Sequence, residues 1–318
     1  MVETLMACPV CENTTVELFA TASDKEYFTS TQEYRYARCP RCTAVYLDSP
    51  PADQLAEIYP PNYYSYGGIA DSTTITERIK AWLDRRMLRK LLSRVPGEKL
   101  RVLDVGGGAG WLLTTVREAC DRVAETHEVD LQSEAADAAE RAGHVYHRMP
   151  IEEFTSSERF DLILMMSIIE HVPDPRAVLG SMRDLLSDNG LLLVKTPNTS
   201  TVDCRWFRHR NWGGFHCPRH FVLFTAAGLA ELGRECGLEV VESTYTQGAP
   251  QWALSVMSLL QDRGWIKVTA QRPAYRHPVY EPLTALFAGI DFLRARWAPT
   301  AQMEVVFRRS TQGKVADR

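Results

Sequence analysis

Short apolar runs between residues 100 and 200 alternate with segments of helical periodicity. The run at 160–166 is almost continuously apolar, which is expected of a strand that is buried on both faces of a sheet. Strands that alternate with helices in this way predict an α/β fold with a largely parallel sheet. The runs that read as strands are 100–105, 122–130, 144–148, 160–166 and 191–195.

The turn after the first of these strands is the most informative segment of the chain. Residues 103–110 read LDVGGGAG, and a helical pattern begins at Trp111. A glycine-rich turn that leads from a strand into a helix presents backbone N–H groups to a ligand. The spacing departs from the G-x-G-x-x-G of dinucleotide-binding turns because Trp111 stands at the sixth position. Asp104 either faces the ligand or caps the turn, and a glycine turn of some other α/β domain is the alternative interpretation.

This turn resembles the first motif of the S-adenosylmethionine-dependent methyltransferases of the Rossmann-like class. Further segments resemble the later motifs of that family in the right order, up to Asn198: EVDL at 128–131, MPIEE at 149–153 and SIIEHVPDP at 167–175. The resemblance implies a seven-stranded sheet whose last strand, at 303–307, runs antiparallel. It also implies S-adenosylmethionine as cofactor.

Individual positions in these motifs receive roles from the resemblance. Asp130, at the end of the second strand, would bind the ribose hydroxyls. Glu128 competes for that role because strand alternation puts it on the same face. Ile151 would border the adenine, and Ser167 and Glu170 would line the pocket beside the transferable methyl group. The predicted cofactor-binding set is Asp104, Gly106, Gly108, Gly110, Asp130, Ile151, Ser167 and Glu170.

The first 50 residues contain two C-x-x-C pairs with intervening strand-like segments, the pattern of a zinc ribbon. Two such pairs complete a tetrahedral four-cysteine site, and four protein ligands leave no open position. We therefore expect a structural Zn²⁺ rather than a catalytic one. A redox-active dithiol is the rival, but no βαβ pattern surrounds either pair. The predicted ligands are Cys8, Cys11, Cys39 and Cys42.

The order of segments predicts a two-part enzyme. The arrangement resembles bacterial methyltransferases of sugar, polysaccharide and secondary-metabolite pathways, in which linker aromatics lie near the substrate entrance. The helical patterns at 252–260 and 283–297 suggest a lid, a homo-oligomer contact or a peripheral contact with a membrane, with core packing as the default. The predicted parts are a zinc ribbon at 1–50, a Tyr/Pro-rich linker and basic helix at 51–95, and a methyltransferase domain at 96–318 with substrate-covering insertions at 199–224 and 247–300.

The first insertion concentrates arginine, histidine and aromatic residues between 204 and 220. Arginines bind carboxylate and phosphate groups, so we expect a small anionic acceptor such as a sugar nucleotide, a phospho-compound or a carrier-bound metabolite. The alternative is a solvated surface loop. Methylation of a hydroxyl oxygen needs a proton acceptor, for which His220 ranks first and His171 second. Either histidine could instead serve only as a hydrogen-bonding group, and transfer to carbon or nitrogen stays open.

Composition bears on the location of the protein and on two alternative functions. The 318 residues are 45% hydrophobic and carry a net charge of −4, without a membrane-spanning run or a secretory signal, so we expect a cytoplasmic protein. One alternative is an RNA methyltransferase that grips RNA with the ribbon. Residues 1–50 disfavour it because they hold four Lys and Arg against seven Asp and Glu. The other alternative, a non-catalytic scaffold, is disfavoured by the intact glycine turn and strand-end acid.

Overall fold

A computed structural model describes residues 5–63, 75–131 and 133–311. The tyrosines Tyr64 and Tyr66 of the predicted linker lie outside the described residues. The strands are β1 (Glu17–Ser23), β2 (Glu33–Arg38), β3 (Val45–Leu47), β4 (Leu100–Val105), β5 (Val123–Asp130), β6 (Val145–Arg148), β7 (Phe160–Met166), β8 (Leu186–Pro197), β9 (Val222–Leu223), β10 (Leu238–Thr246) and β11 (Gln302–Arg309). The helices are α1 (Leu55–Ile58), α2 (Ile75–Leu92), α3 (Trp111–Ala119), α4 (Ser133–Arg141), α5 (Pro175–Leu185), α6 (Val202–Phe207), α7 (Ala226–Glu235), α8 (Ala249–Asp262) and α9 (Tyr280–Arg294).

The larger sheet has seven strands in the order β10-β11-β8-β7-β4-β5-β6. The five strands from β8 to β6 are parallel, and β11 inserts antiparallel between β8 and β10. This arrangement confirms the predicted α/β fold with an antiparallel last strand. Because β4, β5 and β7 are parallel, their carboxyl ends meet at one edge, where the predicted site residues follow.

Side-chain alternation along the central strands divides the core into two layers. In β7, Ile163 and Met165 pack on one face with α5, whereas Leu162 and Leu164 pack on the other face with α2 and α3. All four side chains are fully buried. The near-continuous apolar run of β7 is therefore the consequence of burial on both faces.

The smaller sheet has the order β1-β2-β3-β9 and contains the four predicted ligand cysteines at its turns. Its first three strands come from the first 50 residues, and β9 comes from the predicted insertion at 199–224. Val45 and Tyr46 of β3 pair with Leu223 and Val222 of β9. The N-terminal sheet is thus completed by a strand from the predicted insertion.

Local sequence signals set several helix ends. The Asp174 carboxylate accepts a hydrogen bond from the Ala177 N–H before α5, and Thr225 caps α7 through the Gly228 N–H. Asn189 and Gly190 form a pair that is typical of helix ends, but they do not close α5. The helix ends at Leu185, and both residues lie inside β8, where residues 187–190 stand opposite the single residue Asp161 of β7. Among the described helices, none combines the length and the apolar character that crossing a membrane requires.

Candidate functional site

The glycine loop between β4 and α3 lies at the carboxyl edge of the large sheet. Gly106 donates its N–H to the Val129 carbonyl at 2.8 Å, which ties the loop to the end of β5. Gly106 and Gly108 have φ values of 73° and 62°, which favour glycine. A Cβ on Gly106 would lie 2.2 Å from the Ile168 side chain, whereas a Cβ on Gly108 would meet nothing within 4 Å. The loop therefore offers a bare backbone surface that fits a closely approaching ligand such as S-adenosylmethionine.

Three carboxyl groups support this loop. Glu128 accepts a hydrogen bond from the Gly107 N–H at 2.6 Å, and Asp130 accepts one from the Gly108 N–H at 3.0 Å. Both acids that competed for the ribose role thus contact the loop. Asp104 is buried beneath it, and its carboxyl oxygens find no hydrogen-bond partner among the described residues.

Burial governs the charge of two of these acids. It raises the pKa of Asp104 to about 7, with the charge of Asp130 adding to the effect. Burial also raises the pKa of Glu128 well above its ordinary value, with the charge of Asp104 adding. Near neutral pH Glu128 therefore keeps its proton and Asp104 is partly protonated, which avoids three full negative charges under the loop.

The remaining predicted cofactor residues lie on three separate turns at this edge of the large sheet. Ile151 begins a short 3₁₀ turn after β6 and is buried in the larger core cluster. Ser167 follows β7 with a φ of 61°, and its N–H donates to the Lys195 carbonyl at 2.8 Å. Gly110, at the N-cap of α3, has a φ of 75°.

Glu170 is completely buried behind the turn that follows β7. One carboxyl oxygen accepts a hydrogen bond from the Thr196 hydroxyl at 2.9 Å, and the other has no hydrogen-bond partner among the described residues. Burial raises the pKa of Glu170 to about 8. Its backbone carbonyl accepts from the N–H groups of Phe221 and Val222, so it holds the insertion against the motif.

Three histidine rings meet beside Glu170. The ring of His220 lies 4.7 Å from that of His171 and 5.0 Å from that of His216. Nδ1 of His220 lies 2.8 Å from the Gly214 carbonyl, which can only accept, so Nδ1 carries the hydrogen. Nε2 of His220 is then a proton acceptor, and it lies 3.9 Å from the carboxyl group of Glu170.

Both predicted base candidates are neutral in this environment. Burial lowers the pKa of His171 to about 3, with the charge of His216 adding to the effect. Burial likewise lowers the pKa of His220 well below its ordinary value, with His171 and His216 contributing further. A neutral imidazole is the form that can accept a proton.

The N-terminal segments supply partners that the sequence analysis missed. Nδ1 of His216 lies 2.7 Å from the carboxylate of Glu26, and its Nε2 lies 2.9 Å from the Tyr63 hydroxyl. The Tyr59 hydroxyl lies 2.7 Å from Nδ1 of His171. That linker aromatics lie near the substrate entrance stays a prediction. No local signal marks Glu26, because only tertiary packing brings it to the histidines.

Arg219, one of the arginines expected to bind an anionic acceptor, is buried and forms an ion pair within the protein. Its guanidinium pairs with Asp24 at 2.9 Å, and both side chains are completely buried. Although burial alone would raise the pKa of Asp24, the guanidinium holds that pKa below its ordinary value. Two further hydrogen bonds join Arg219 to the carbonyls of Ile58 and Cys217. Arg219 therefore ties together the ribbon, the linker and the insertion.

The four N-terminal cysteines converge as predicted from their spacing. The sulfur of Cys8 lies 3.5 Å from that of Cys42, and the sulfur of Cys11 lies 3.5 Å from that of Cys39. All four sulfurs lie within 4.8 Å of one another. The residue after each pair, Glu12 or Thr43, has a positive φ, so the two turns match. This donor set suits a tetrahedral thiophilic ion such as Zn²⁺.

Comparison with known sequences agrees with the geometry. The family described as the methyltransferase domain matches residues 77–243. A ubiquinone biosynthesis O-methyltransferase of Cereibacter sphaeroides is 30% identical over 199 residues, which cover 58% of this chain and 78% of the relative. Another enzyme of that name, from Bradyrhizobium sp., is 34% identical over 172 residues, which cover 49% of this chain and 66% of the relative.

Among solved structures, the 1,6-didemethyltoxoflavin-N1-methyltransferase of Burkholderia thailandensis is similar, with 20% identity and a TM-score of 0.45. The match covers 74% of this chain and 80% of that one. The family match, the sheet order and the glycine loop agree, and the chain belongs to the S-adenosylmethionine-dependent class I methyltransferases.

Proposed function

We propose that this methyltransferase transfers the methyl group to a hydroxyl oxygen of a small acceptor, with His220 as the general base. The observation that carries the proposal is the fixed tautomer of His220, whose Nδ1–H donates to Gly214 and leaves Nε2 to accept a proton. Support for an oxygen acceptor comes from the curated relatives, which are named O-methyltransferases.

The surroundings of His220 hold its ring in the neutral form. Burial excludes water and keeps the ring neutral before reaction. As His220 gains a proton from the acceptor hydroxyl, the uncharged Glu170 carboxyl group at 3.9 Å would present an oxygen toward the imidazolium. His171, linked to Tyr59, would orient the ring from the other side.

The cofactor, when bound, supplies an electrophilic methyl group on a sulfonium ion. Gly106 and Gly108 would admit its methionine portion to the backbone, and Asp130 would accept hydrogen bonds from the ribose. The four cysteines would hold a structural Zn²⁺ that stabilises the small sheet. An anionic acceptor remains our prediction, but Arg219 cannot bind it because Asp24 already occupies the guanidinium.

A first experiment tests the base. We expect His220→Gln to lower methyl transfer to hydroxylated ubiquinone precursors or sugar nucleotides by about 100-fold, because general-base catalysis contributes on that order. Affinity for S-adenosylhomocysteine should be unchanged. His209→Gln, at an exposed position of the same insertion, is the control. A His220→Gln rate within about twofold of the native rate would exclude this base.

A second experiment tests the cofactor site. Calorimetric titration with S-adenosylhomocysteine should show micromolar binding that Asp130→Ala weakens about tenfold, or 1.4 kcal/mol. Asp188→Ala, at an exposed acid in β8, should bind like the native protein. Equal affinities of the Asp130→Ala variant and the native protein would contradict the ribose assignment.

A further inference from the structure

Helix α9 presents a wide apolar stripe to solvent. Its exposed positions recur at intervals of three and four residues from Ala285 to Leu293, as on one face of a helix, and the exposed Trp297 follows in the turn after the helix. Phe292 and Leu293 are 62% and 61% exposed, and Trp297 is 73% exposed. The opposite face is anchored, because the buried Asp291 accepts hydrogen bonds from the Gly248 N–H and from Arg294.

Helix α6 extends this stripe with a further tryptophan. Trp206 is 63% exposed and packs edge-on against Trp252, with ring centroids 6.1 Å apart. Trp252 in turn stacks on Phe287 of α9 at 5.0 Å. The three rings join α6 to α9 through α8. We call the combined area the aromatic face; its exposed apolar members are Trp206, Leu286, Ile290, Phe292, Leu293 and Trp297.

Most exposed charges near the aromatic face are positive. Arg205 precedes Trp206 and Arg296 precedes Trp297, and both arginines are exposed, whereas Glu281 in the first turn of α9 is an exposed acid. Two further acids, Asp291 and Asp203, are buried in hydrogen bonds to Gly248 and Trp212. The face therefore combines apolar and aromatic side chains with arginines beside its two most exposed tryptophans.

We propose that the aromatic face docks on an anionic lipid bilayer. Tryptophan and arginine are the side chains that suit the boundary between headgroups and acyl chains, and basic residues add attraction to anionic lipids. A second copy of the chain is the competing occupant, and light scattering without lipid tests it. A small dissolved anion would leave the apolar stripe exposed to water.

The aromatic face adjoins the candidate site. Gln251, the neighbour of Trp252, donates a hydrogen bond to Gln302 at 2.9 Å, and Gln302 contacts the Ser167 hydroxyl at 3.4 Å. A bilayer on this face would therefore lie close to the turn that follows β7. Docking needs neither cofactor nor acceptor, so its test is independent of the proposed methyl transfer.

Co-sedimentation with vesicles tests the proposal. The protein should bind phosphatidylcholine vesicles that contain phosphatidylglycerol, bind pure phosphatidylcholine less, and lose binding as salt is raised. The double variant Leu293→Glu/Trp297→Glu should partition about tenfold less. Arg205→Gln/Arg296→Gln should remove most of the preference for phosphatidylglycerol. Trp82→Ser, at a 57% exposed tryptophan on α2, is the matched control and should bind like the native protein.

Light scattering without lipid gives the opposing outcome. A dimer that Leu293→Glu/Trp297→Glu converts to monomers, together with no vesicle binding by the native protein, would overturn the proposal in favour of self-association. Equal binding of the native protein and the double variant to vesicles would also overturn it. Unchanged affinity of the double variant for S-adenosylhomocysteine would show that the substitutions leave the fold intact.

Discussion

Protonation of individual acids near the site is set mainly by burial. Asp104 and Glu170 have no cationic partner at hydrogen-bond distance among the described residues, and burial raises the pKa of each, to about 7 and about 8. Asp24, by contrast, is equally buried but stays ionised because Arg219 faces it. Two carboxyl groups of similar burial thus differ in charge according to the residue beside them.

This difference predicts a pH dependence of stability at Glu170. Between its ordinary pKa of 4.5 and about 8, the folded protein holds a proton that the unfolded chain releases. The free energy of unfolding should therefore fall by about 1.4 kcal/mol per pH unit from this group as pH rises through that window. Glu170→Gln should remove that part of the slope in urea unfolding measured from pH 5 to 8. Asp188→Asn should leave the slope unchanged, and equal slopes for all three proteins would contradict the prediction.

At the scale of elements, one side chain links segments that are far apart in sequence. Arg219 contacts Asp24 after β1, the Ile58 carbonyl at the end of α1 and the Cys217 carbonyl of its own insertion. Its guanidinium also lies 4.5 Å from the centre of the Tyr27 ring. The position of the ribbon relative to the histidines therefore depends on a buried ion pair.

Removal of one partner of that pair should be costly. Arg219→Met would leave the Asp24 carboxylate buried without its cation and should lower the free energy of unfolding by about 3–5 kcal/mol. Arg234→Met, which removes an exposed pair with Glu231 on α7, should cost less than about 1 kcal/mol. Urea denaturation of both variants at pH 7 checks the contrast, and similar losses would show that burial does not matter here.

The cap of α5 gives a smaller effect. Asp174→Ala removes the acceptor for the Ala177 N–H and should lower the free energy of unfolding by about 1 kcal/mol. Asp174→Asn keeps an acceptor oxygen and should restore most of the loss. Thermal unfolding of the two variants separates the cap from the charge, and equal destabilisation by both would assign the effect to charge instead.

At the scale of the whole molecule, the small sheet links the cysteine cluster to the histidine cluster. The small sheet carries Asp24 and Glu26 toward the histidines, and β9 runs directly from His220 into that sheet. Loss of an ion from the cysteines should therefore also destabilise the segment that holds the histidines, on the proposed acceptor side. The glycine loop belongs to the large sheet, and Gly106, Gly107 and Gly108 donate their N–H groups to residues of β5.

Metal removal checks this connection. The native protein should contain one Zn²⁺, and Cys42→Ser should lose it. Amide hydrogen exchange of that variant should rise at 8–47 and also at 211–224, while 103–110 stays protected. Cys120→Ser, outside the cluster, should retain both metal and protection. Faster exchange confined to 8–47 would show that the ribbon is independent of the acceptor side.

The sequence determined the features that depend on local pattern. The apolar period of β7, the glycines after β4 and the caps at Asp174 and Thr225 specify strands, loop and helix ends through residues that are close in the chain. The cysteine pairs converge because each knuckle is a short turn. These signals were sufficient for the large sheet and for most element bounds, apart from the start of β8.

Tertiary structure alone decided how distant polar residues are partnered. Glu26 meets His216, and Arg219 is buried against Asp24, because β9 joins the ribbon and draws the insertion beneath it. The sequence of the segment 204–220 does not indicate which of its arginines is exposed and which is buried. Burial and pairing depend on neighbours far along the chain, so the charge, the protonation and the available partners of these side chains follow from the packed structure.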